Sequence, residues 1–405
     1  MKIAIIGAGA SGMAAAITAA ASGTHEILLF ERQARVGKKL LATGNGRCNL
    51  TNRQAAVSHY HGTDPSFILP ALQAFPVEST LDFFSALGLY TVTEPGGRVY
   101  PYSDQANSVV DVLRFGLERK NITLHAGTEI TGVKHDAEGF LLRAGSESYR
   151  ADRLIVACGG AAGTKLGGGL SGYQLLRSLG HHCTKLYPSL VQLKTDTEQV
   201  RGLKGVRANA RLRLLLNGSL LAVAGGEVQF TEYGISGPAV FDLSRAASTA
   251  EGTELHLDLL PDMRSEELLS TLCIRISRYP NMLCEDLLTG ILHNRLGRML
   301  LKSVGVPLSN PLTSLNWKQL TDAVEACHDF RLRVLGNMGM EHAQVTAGGI
   351  CTQEFCAETL ESRIVPGLYA CGEVLDVDGD CGGYNLQFAF ASGLTAGKWA
   401  AARKR

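Results

Sequence analysis

The fold of this chain is decided by a stretch near its N-terminus, Lys2-Ile3-Ala4-Ile5-Ile6-Gly7-Ala8-Gly9-Ala10-Ser11-Gly12-Met13-Ala14. The apolar run predicts a buried strand, and the alanine-rich segment behind the glycines predicts a helix. With this spacing, Gly7 permits a tight turn, Gly9 lets the backbone approach a pyrophosphate, and Gly12 lets the helix pack closely on the strand. Free N–H groups at the helix start then face the phosphates, and each favourable interaction is worth about 0.3–1 kcal/mol. The stretch therefore predicts a dinucleotide-binding βαβ unit.

A second predicted strand, Glu26–Phe30, ends at an acidic residue. Glu31 stands 19 residues beyond Gly12, where dinucleotide-binding folds place the acid that accepts hydrogen bonds from the ribose hydroxyls. A carboxylate at this position repels a 2′-phosphate, so the pattern disfavours NADP in this site. The glycine spacing alone is a weak signal in a glycine-rich chain, whereas strand, glycines, helix, strand and acid together are a specific one.

The segment after Glu31 favours FAD over NAD. Residues 37–52 form a long, polar loop punctuated by glycines, where a domain for NAD usually enters a helix and a third strand. Such a loop can run beside an extended ligand and offer it backbone N–H groups and cations; the alternative is a surface loop without a ligand. Two later predicted strands, within residues 154–160 and 367–373, also end in glycines, and Glu373 closes the second.

Length, composition and charge narrow the class of protein. The chain has 405 residues, 46 of them glycine, and a formal net charge of +1. The length predicts two or three folding units, and the charge disfavours a strongly basic nucleic-acid binder. The ten cysteines include no C-x-x-C pair, so we expect neither a metal site nor a disulfide framework. With no signal peptide and no apolar run of about 18 residues, we expect a cytoplasmic protein that does not enter a membrane.

Changes in the residue pattern along the chain predict its division into domains. The α/β pattern of residues 1–189 returns at residues 346–405, which indicates one discontinuous nucleotide-binding domain. Residues 190–258, together with about 328–345, predict a small β-rich domain with a strand at Val206–Leu216 and turns at Asn217-Gly218 and Gly225-Gly226. Residues 259–327 predict a helical insert, in which Leu287, Leu288, Ile291, Leu292 and Leu296 recur at helical spacing.

Seven stretches resemble one bacterial family of flavoproteins with two dinucleotide-binding domains. That family includes aminoacetone oxidases, the BaiN-like flavoprotein of bile-acid operons and YhiN-like flavoproteins that form dihydrouridine in ribosomal RNA. The resemblance implies bound FAD and an α/β fold, with a discontinuous Rossmann-like FAD-binding domain, an inserted β-barrel-like domain and a helical insert. The matching stretches span nearly the whole chain and are Gly7–Gly12, Lys38–Asn52, Gly97–Pro101, Ile155–Gly160, Phe230–Pro238, Thr346–Gly349 and Gly372–Gln387.

The motif and the resemblance together imply a set of FAD contacts. By similarity, Glu373 would hold the ribityl or pyrophosphate region, Gly382–Gln387 would lie beside the isoalloxazine, and Ile130 would contact the adenine. Asn385 is expected to cap a closing helix that runs through Trp399 and ends in residues 403–405. The positive N-terminal end of this helix would point at the flavin N1–O2 edge. The full expected set is Gly7, Gly9, Ala10, Ser11, Gly12, Glu31, Arg32, Lys39, Leu40, Thr43, Gly44, Asn45, Arg47, Cys48, Asn49, Ile130, Ala157, Gly159, Gly160, Gly372, Glu373, Gly383, Tyr384, Asn385, Leu386 and Gln387.

The chemistry at the flavin is less specific in the sequence. A disulfide reductase needs a cysteine pair near the flavin, and only Cys48 lies there, so that class is excluded. A second complete G-x-G-x-x-G unit is absent, so NAD(P)H is expected to visit the flavin face transiently. Residues 167–172 predict a flavin-side or substrate-side loop. The candidate catalytic residues are Tyr384, Arg98, Tyr100 and Cys48, with Ser103 nearby; a structural role is the alternative for each. The adjacent His181 and His182 are expected to point to different faces and to be structural.

One predicted strand of the β-rich domain is cationic on one face. Arg207, Asn209, Arg211 and Arg213 alternate with apolar residues, which predicts either a solvated sheet face or a phosphate-contacting surface suited to RNA. Four functions therefore stay open. The first is an NAD(P)H-driven FAD oxidoreductase that reduces an activated C=C bond of a small molecule by hydride transfer from flavin N5. The others are a dihydrouridine synthase acting on ribosomal RNA, an amine oxidase using oxygen, and a flavin-holding sensor without catalysis.

Overall fold

The strands of the protein include short parallel ones around the N-terminal run and longer antiparallel ones after residue 187. The structure, a computed structural model, describes residues 1–402. Its strands are β1 (Lys2–Ile6), β2 (Glu26–Glu31), β3 (Thr51–Asn52), β4 (Tyr60–His61), β5 (Thr91–Thr93), β6 (Arg98–Pro101), β7 (Ile122–Ala126), β8 (Gly132–Asp136), β9 (Gly139–Ala144), β10 (Glu147–Ala151), β11 (Arg153–Val156), β12 (Tyr187–Ser189), β13 (Leu193–Thr195), β14 (Arg207–Leu216), β15 (Ser219–Phe230), β16 (Gly234–Ser236), β17 (Thr253–Asp258), β18 (Phe330–Asn337), β19 (Val345–Ala347), β20 (Leu368–Ala370) and β21 (Asp378–Gly379).

The helices range from a single turn to the 18-residue helix that closes the described chain. They are α1 (Ala10–Ala19), α2 (Leu69–Ala74), α3 (Val77–Ala86), α4 (Ala106–Leu117), α5 (Ser171–Ser178), α6 (Thr197–Val200), α7 (Pro238–Thr249), α8 (Ser265–Arg278), α9 (Asn294–Ser303), α10 (Trp317–His328) and α11 (Tyr384–Ala401). None of the helices among the described residues has the length and apolar character needed to cross a membrane.

The chain divides into two compact units. The first consists of Met1–Tyr187 together with the chain from Met340 onward, and the second is Pro188–Gly339. The first unit contains a parallel sheet with strand order β20-β11-β1-β2-β7. The apolar run of β1 occupies its centre, where Ile3 pairs with Ile27 on one side and with Arg153 on the other. Ile3, Ile5 and Ile27 are fully buried, as expected for a central parallel strand.

Two helices of the first unit pack at very short range on one another. A Cβ atom on Gly393 of α11 would lie 3.0 Å from the Ser11 carbonyl carbon of α1, and one on Gly397 would lie 3.0 Å from the Ala15 Cα. Each Cβ atom would also lie closer to the Ser11 or Ala15 carbonyl oxygen than real Cβ atoms do, so the two glycines are what lets the helices approach each other. Because Gly393 meets Ser11 and Gly397 meets Ala15, the helices run in the same direction.

The second unit is built on a closed antiparallel barrel with strand order β13-β16-β15-β14-β17-β18. Along β14 the arginines are exposed, and Ala210, Leu212 and Leu214 are buried, so the predicted alternation is confirmed. The parallel sheet and the barrel together confirm the expected α/β fold with a Rossmann-like domain and a β-barrel-like one.

Two local predictions for the second unit were wrong. Gly225 and Gly226 do not form a turn but lie inside β15, where they pair with Arg211 and Ala210. Residues 287–292 are not helical: Gly290 adopts a left-handed φ of +82°, and α9 begins only at Asn294. Leu287 and Leu288 lie in turns and are buried. Over so short a stretch, the spacing of such buried apolar residues is the same as that of a buried helix face.

Candidate functional site

The glycine loop between β1 and α1 has one open position between two crowded ones. A Cβ atom on Gly7 would lie 2.8 Å from the Ala157 carbonyl carbon, and one on Gly12 would overlap the Gly7 carbonyl oxygen. In contrast, a Cβ atom on Gly9 would have no atom of the protein within 4 Å. Gly9 also has φ −83° and ψ −165°, a conformation that any residue adopts. Packing therefore accounts for Gly7 and Gly12 but not for Gly9, and a ligand against the helix mouth fits the open space.

Glu31 is held at the edge of the same loop. Its two carboxylate oxygens accept hydrogen bonds from the backbone N–H groups of Ala8, at 2.9 Å, and Gln33, at 2.8 Å. Each carboxylate oxygen can accept a second bond, so the group remains able to bind a diol. Its neighbour Arg32 donates to the Gly167 carbonyl oxygen. The loop of residues 167–172, expected on the flavin or substrate side, therefore starts beside Arg32, next to the acid that is expected to bind the ribose.

Ile130, the expected adenine contact, follows β7 after a short turn. Its side chain is buried, and Thr128, two residues earlier, donates its backbone N–H to the Glu31 carbonyl oxygen at 2.8 Å. The segment is therefore joined to the end of β2. The structure places Ile130 in the same unit as Glu31 and two residues from a backbone hydrogen bond to it, which is compatible with an adenosine end of the site there.

The polar loop of residues 37–52 folds into short 3₁₀ turns. Gly44, Asn45 and Cys48 have left-handed φ values of +56°, +57° and +61°, and the Thr43 hydroxyl donates to the Leu40 carbonyl oxygen at 2.7 Å. Cys48 is fully buried, and this burial raises the pKa of its thiol to about 12. A thiol with that pKa stays protonated at neutral pH and is a poor nucleophile, so a catalytic thiolate at Cys48 is contradicted by the structure.

Arg47 is engaged by protein groups. Its guanidinium forms ion pairs with Glu94 and Asp104, and it lies 4.0 Å from the centre of the Tyr100 ring. Burial raises the pKa of the Tyr100 hydroxyl. Two of the N–H groups of Arg47 are therefore engaged by carboxylates, which hold its side chain against Glu94 and Asp104.

The other substrate-side candidates lie near that cluster. Arg98 begins β6 and pairs with Asn52 of β3, so it is joined to the end of the polar loop. Ser103 is exposed and donates to the Ser108 hydroxyl at 2.7 Å. The structure thus brings Arg98 and Tyr100 next to the loop of residues 37–52, whereas Ser103 points to solvent with a partner on α4.

Three distant segments of the expected FAD set meet at Glu373. Lys39 donates to both of its carboxylate oxygens, at 2.8 and 3.1 Å, and the backbone N–H of Thr346 donates to one of them at 2.9 Å. A Cβ atom on Gly160 would lie 2.7 Å from the Glu373 carboxyl carbon. Gly159 beside it has a φ of +70° and open space around its Cβ position. Glu373 therefore organises the turn after β11, and the open position next to it leaves room for a ligand.

The closing helix begins two residues earlier than a cap at Asn385 would require. α11 starts at Tyr384, and its N-cap is Gly383, with a φ of +100°. Asn385 lies in the first turn and bonds the Gly379 backbone instead, accepting from its N–H at 2.8 Å and donating to its C=O at 2.7 Å. The predicted cap was wrong because a glycine with positive φ, followed by Tyr384, can begin the helix without a side-chain cap. Residues 403–405 lie outside the described residues.

The start of α11 is fastened to the end of the polar loop. The Thr51 hydroxyl donates to the Gln387 amide oxygen at 2.7 Å, and the Asn52 amide donates to the Gly382 carbonyl oxygen at 3.0 Å. Gln387 is fully buried, so its side chain holds the loop rather than a ligand. Asn49 has a buried amide oxygen without a hydrogen-bond partner among the described residues, and a Cβ atom on Gly383 would lie 2.8 Å from it.

Two helix N-termini open in the same direction at this site. Tyr384 precedes Gly393, which packs on Ser11, by nine residues, so α11 starts about 13 Å beyond that contact at 1.5 Å per residue. Both termini present unpaired N–H groups and partial positive charge. One terminus suits a pyrophosphate, and the second, further out, suits an anionic ring edge. This arrangement, the open position at Gly9 and the unpartnered Asn49 oxygen fit an extended dinucleotide such as FAD.

A cluster that the sequence did not reveal lies at the start of α11. His59 and His61 both contact the Asp380 carboxylate, at 3.0 and 2.7 Å, and the His59 ring stacks on Tyr384 with 4.2 Å between the ring centres. Burial by itself would raise the pKa of Asp380, but the hydrogen bonds of His61 and His59 outweigh it and lower that pKa. The only sequence signal was the alternation of His59 and His61, which says nothing about a partner 321 residues away.

The adjacent histidines His181 and His182 differ in exposure but share one carboxylate. His181 is buried and His182 is exposed, yet both ring Nδ1 atoms contact Glu354, at 2.8 and 2.6 Å. Burial lowers the pKa of His181, and the hydrogen bond with Glu354 opposes that shift without reversing it. The two side chains thus differ in exposure, as expected for residues on different faces, but they share Glu354 as a partner, which was not expected. The backbone N–H of His182 also donates to Glu354.

The cationic face of β14 is partly neutralised by neighbouring strands. Arg207 lies 3.5 Å from Glu227 of β15, and Arg213 lies 2.9 Å from Asp329. Arg211 lies opposite Asp258 in the strand register. Acids that are absent from β14 itself are therefore supplied by adjacent segments, which favours the solvated-face interpretation over a phosphate-binding surface.

Comparison with known proteins identifies relatives along the whole chain. A profile of the family described as "HI0933-like protein Rossmann domain" matches residues 1–399. The 3-dehydro-bile acid delta(4,6)-reductase of Clostridium scindens is 43% identical over 407 residues, covering 99% of each chain. The ribosomal RNA dihydrouridine synthase of Escherichia coli is 31% identical over 391 residues, covering 96% of this chain and 95% of the relative.

Two solved flavoenzyme structures share the fold at low sequence identity. The 3-ketosteroid delta1-dehydrogenase from Sterolibacterium denitrificans has a TM-score of 0.51 and 11% identity, covering 98% of this chain and 99% of that one. A quinol fumarate reductase FrdA variant of Escherichia coli has a TM-score of 0.51 and 19% identity, covering 99% of this chain and 70% of that one. At these identities the likeness concerns the fold alone.

Proposed function

We propose, from the premise that this chain belongs to the HI0933-like family and is an FAD-dependent oxidoreductase, that it reduces an activated C=C bond of a small molecule. The observation that carries the proposal is the 43% identity, over 99% of both chains, to a 3-dehydro-bile acid delta(4,6)-reductase. The substrate class we assign is a C=C bond conjugated to a carbonyl group, on a rigid apolar skeleton. The electron donor we assign is NAD(P)H.

The residues of the first unit have distinct roles in holding FAD. The α1 mouth at Gly9 takes the pyrophosphate, Glu31 takes the ribose diol, and the Lys39–Glu373 pair orders the turns that approach the ribityl arm. Bound FAD supplies the hydride chemistry itself. The N-terminus of α11 stabilises negative charge at the ring edge that faces it, since its N–H groups are fixed before any charge develops. NAD(P)H has no second glycine fingerprint in the chain, so we place it transiently at the flavin face.

Three side chains are assigned to the substrate. Arg98, at the start of β6 beside Asn52, is the cation that would orient the carbonyl oxygen of the substrate. Tyr384, at the first position of α11, is the proton donor for the carbon that does not receive hydride, and Tyr100 is the alternative donor. Both tyrosine side chains are at least nine-tenths buried, so each hydroxyl would act out of contact with bulk water.

The first experiment asks which donor and which acceptor exchange electrons with the flavin. Purified protein is titrated anaerobically with NADH or NADPH, and the reduced protein is then mixed with a 3-keto-4,6-diene bile acid. We expect bleaching by a nicotinamide, recovery of the flavin spectrum on adding the diene, and a product with two more hydrogens. The saturated 3-keto bile acid is the matched control and should leave the flavin reduced. Flavin reduction by a primary amine alone, with reoxidation only by oxygen, would contradict the proposal.

Ribosomal RNA is a second candidate substrate, because a relative named ribosomal RNA dihydrouridine synthase is 31% identical over nearly the whole chain. The exposed arginines of β14 would then contact phosphates. We would expect affinity for RNA to fall steeply with salt and to vanish when Arg207, Arg211 and Arg213 are replaced by Glu. If reduced protein is reoxidised by ribosomal RNA and not by the diene, the small-molecule proposal fails.

A further inference from the structure

Four side chains form a chain of polar contacts at the start of α11. The Tyr384 hydroxyl lies 3.5 Å from the Nε2 atom of His59, and the Nδ1 atom of His59 lies 3.0 Å from an Asp380 oxygen. The other oxygen of Asp380 lies 2.7 Å from the Nε2 atom of His61. Two histidines on one carboxylate, ending at a tyrosine hydroxyl, make an arrangement that can move protons.

Backbone pairing holds this chain of groups in place. β4 and β21 pair so that Asp378 lies opposite His61 and Gly379 opposite Tyr60. The backbone N–H of Asp380 donates to the His59 carbonyl oxygen at 3.0 Å. The Tyr60 hydroxyl donates to the Tyr384 carbonyl oxygen at 3.0 Å. The position of His59 relative to Tyr384 is therefore set by the strand pair and does not depend on a flexible side chain alone.

The contacts lead from the surface to a buried hydroxyl. The side chains of His61, His59 and Asp380 are 36%, 32% and 28% exposed, whereas Tyr384 is 5% exposed. Asp380 is ionised at neutral pH, since its histidine hydrogen bonds outweigh its burial and lower its pKa. The other titratable groups near this point include Tyr60, whose pKa burial raises, Asp378, which is buried opposite His61 in the strand pair, and Cys381, next to Asp380 in the chain. The histidines can therefore exchange protons with water, and the tyrosine cannot do so directly.

We propose that His59, oriented by Asp380, resupplies protons to the Tyr384 hydroxyl during reduction of the substrate, an inference that rests on the proposed function. Reduction of C=C adds a hydride with its electron pair to one carbon and a proton to the other. As the new C–H bond forms, the O–H bond of Tyr384 breaks. The resulting tyrosinate takes a proton from Nε2 of a His59 ring that also carries a proton on Nδ1, facing Asp380, and Nε2 then regains a proton from water. Tyr384 is the catalytic residue, and His59 and Asp380 are positioning residues.

The test separates the two half-reactions of the purified flavoprotein by stopped-flow. The variants are Tyr384→Phe, His59→Gln and Asp380→Asn, and His135→Gln, on exposed β8, is the matched control. We expect reoxidation by the diene to slow about 100-fold or more in Tyr384→Phe, within the range of general-acid effects, and about tenfold in the other two, which only resupply the proton. Reduction of the flavin by dithionite should stay within about twofold, because that step needs no substrate proton.

Two further readouts distinguish proton supply from a structural role. In the wild-type protein the reoxidation rate should depend on pH, and this dependence should flatten in His59→Gln. ¹⁵N NMR of the histidines should show a proton on Nδ1 of His59, and Asp380→Asn should change that tautomer. The proposal is overturned if His59→Gln and Asp380→Asn keep the wild-type rate and pH profile while the wild-type protein reduces the diene. A wild-type protein that reduces no enone would instead remove the proposed function itself.

Discussion

Replacement of Gly9 by Val tests whether the open space at the α1 mouth is a ligand site. A Cβ atom there meets no protein atom within 4 Å, and the backbone at φ −83° suits any residue. The unliganded fold should therefore lose only about 1 kcal/mol, the typical cost of a poor residue at the N-cap. The valine methyl groups would occupy the space beside the helix N–H groups, where at least one charged hydrogen bond to a phosphate is lost. Such a bond contributes about 1.5–3 kcal/mol, so the Kd for FAD should rise about 10- to 150-fold.

The assay measures FAD binding by flavin fluorescence and the stability of the FAD-free protein by urea unfolding. Gly12→Ala is the matched control, because its Cβ atom would overlap the Gly7 carbonyl oxygen and lie 3.2 Å from the Ala157 Cβ. We expect Gly12→Ala to destabilise the FAD-free protein by about 1–3 kcal/mol through overpacking. If Gly9→Val instead destabilises the FAD-free fold as much as Gly12→Ala, or binds FAD like the wild type, then the space at Gly9 is not the pyrophosphate site.

Three further predictions concern single residues of the first unit. Glu31→Gln should weaken FAD retention, because an amide loses one of the acceptor oxygens, whereas the control Glu26→Gln on the same strand should not; equal flavin occupancy in both would refute the ribose assignment. Iodoacetamide at about pH 8 should alkylate exposed Cys273 and spare Cys48, whose thiol has a pKa raised to about 12, as mass spectrometry of digests would show; rapid modification of folded Cys48 would disprove its burial. Burial lowers the pKa of His181, so the unfolded state binds more protons and stability falls as pH drops below about 6.5; His181→Gln should reduce this slope of the unfolding free energy, and an unchanged slope would contradict it.

The N-terminal unit was predictable because its signals are local. The expected strand, glycine turn and helix appear as β1 and α1, and the expected acid ends β2 at Glu31. Each of these features depends on residues within about 30 positions of one another, where periodicity and turn chemistry act directly. The α/β fold class and the family followed from the same motif and from resemblance, and both are confirmed.

The predicted start of a helix was wrong where two nearby residues could each serve as its N-cap. Asn385 was expected to cap α11, but Gly383 begins it with a φ of +100°, at a place where a Cβ atom would lie 2.7 Å from the Thr51 carbonyl carbon. The apolar spacing at residues 287–292 predicted a helix, whereas the segment forms buried turns. Burial in the core produces apolar residues in both cases, so periodicity over six residues does not separate them.

Electrostatic partners were the part of the site that the sequence could not supply. Arg47 was expected to face a cofactor, and it forms ion pairs with Glu94 and Asp104. The acids that face the arginines of β14 lie on other segments of the barrel unit, which no count of charges within one strand reveals. The charge of a residue can be read from the sequence, but its ion-pair partner depends on which segments the fold brings together.

The sequence by itself determined a Rossmann-like unit with a glycine turn and an acid at the end of its second strand, since those features need only neighbouring residues and the geometry of one strand and one helix. Only the tertiary structure decided that Gly9 is the open position, that Cys48 is sealed from solvent, and that His59 meets Asp380 across 321 residues. The physical reason is that open space, solvation and proton contacts are properties of groups brought together from distant positions by the packing of the sheet and of α1 against α11.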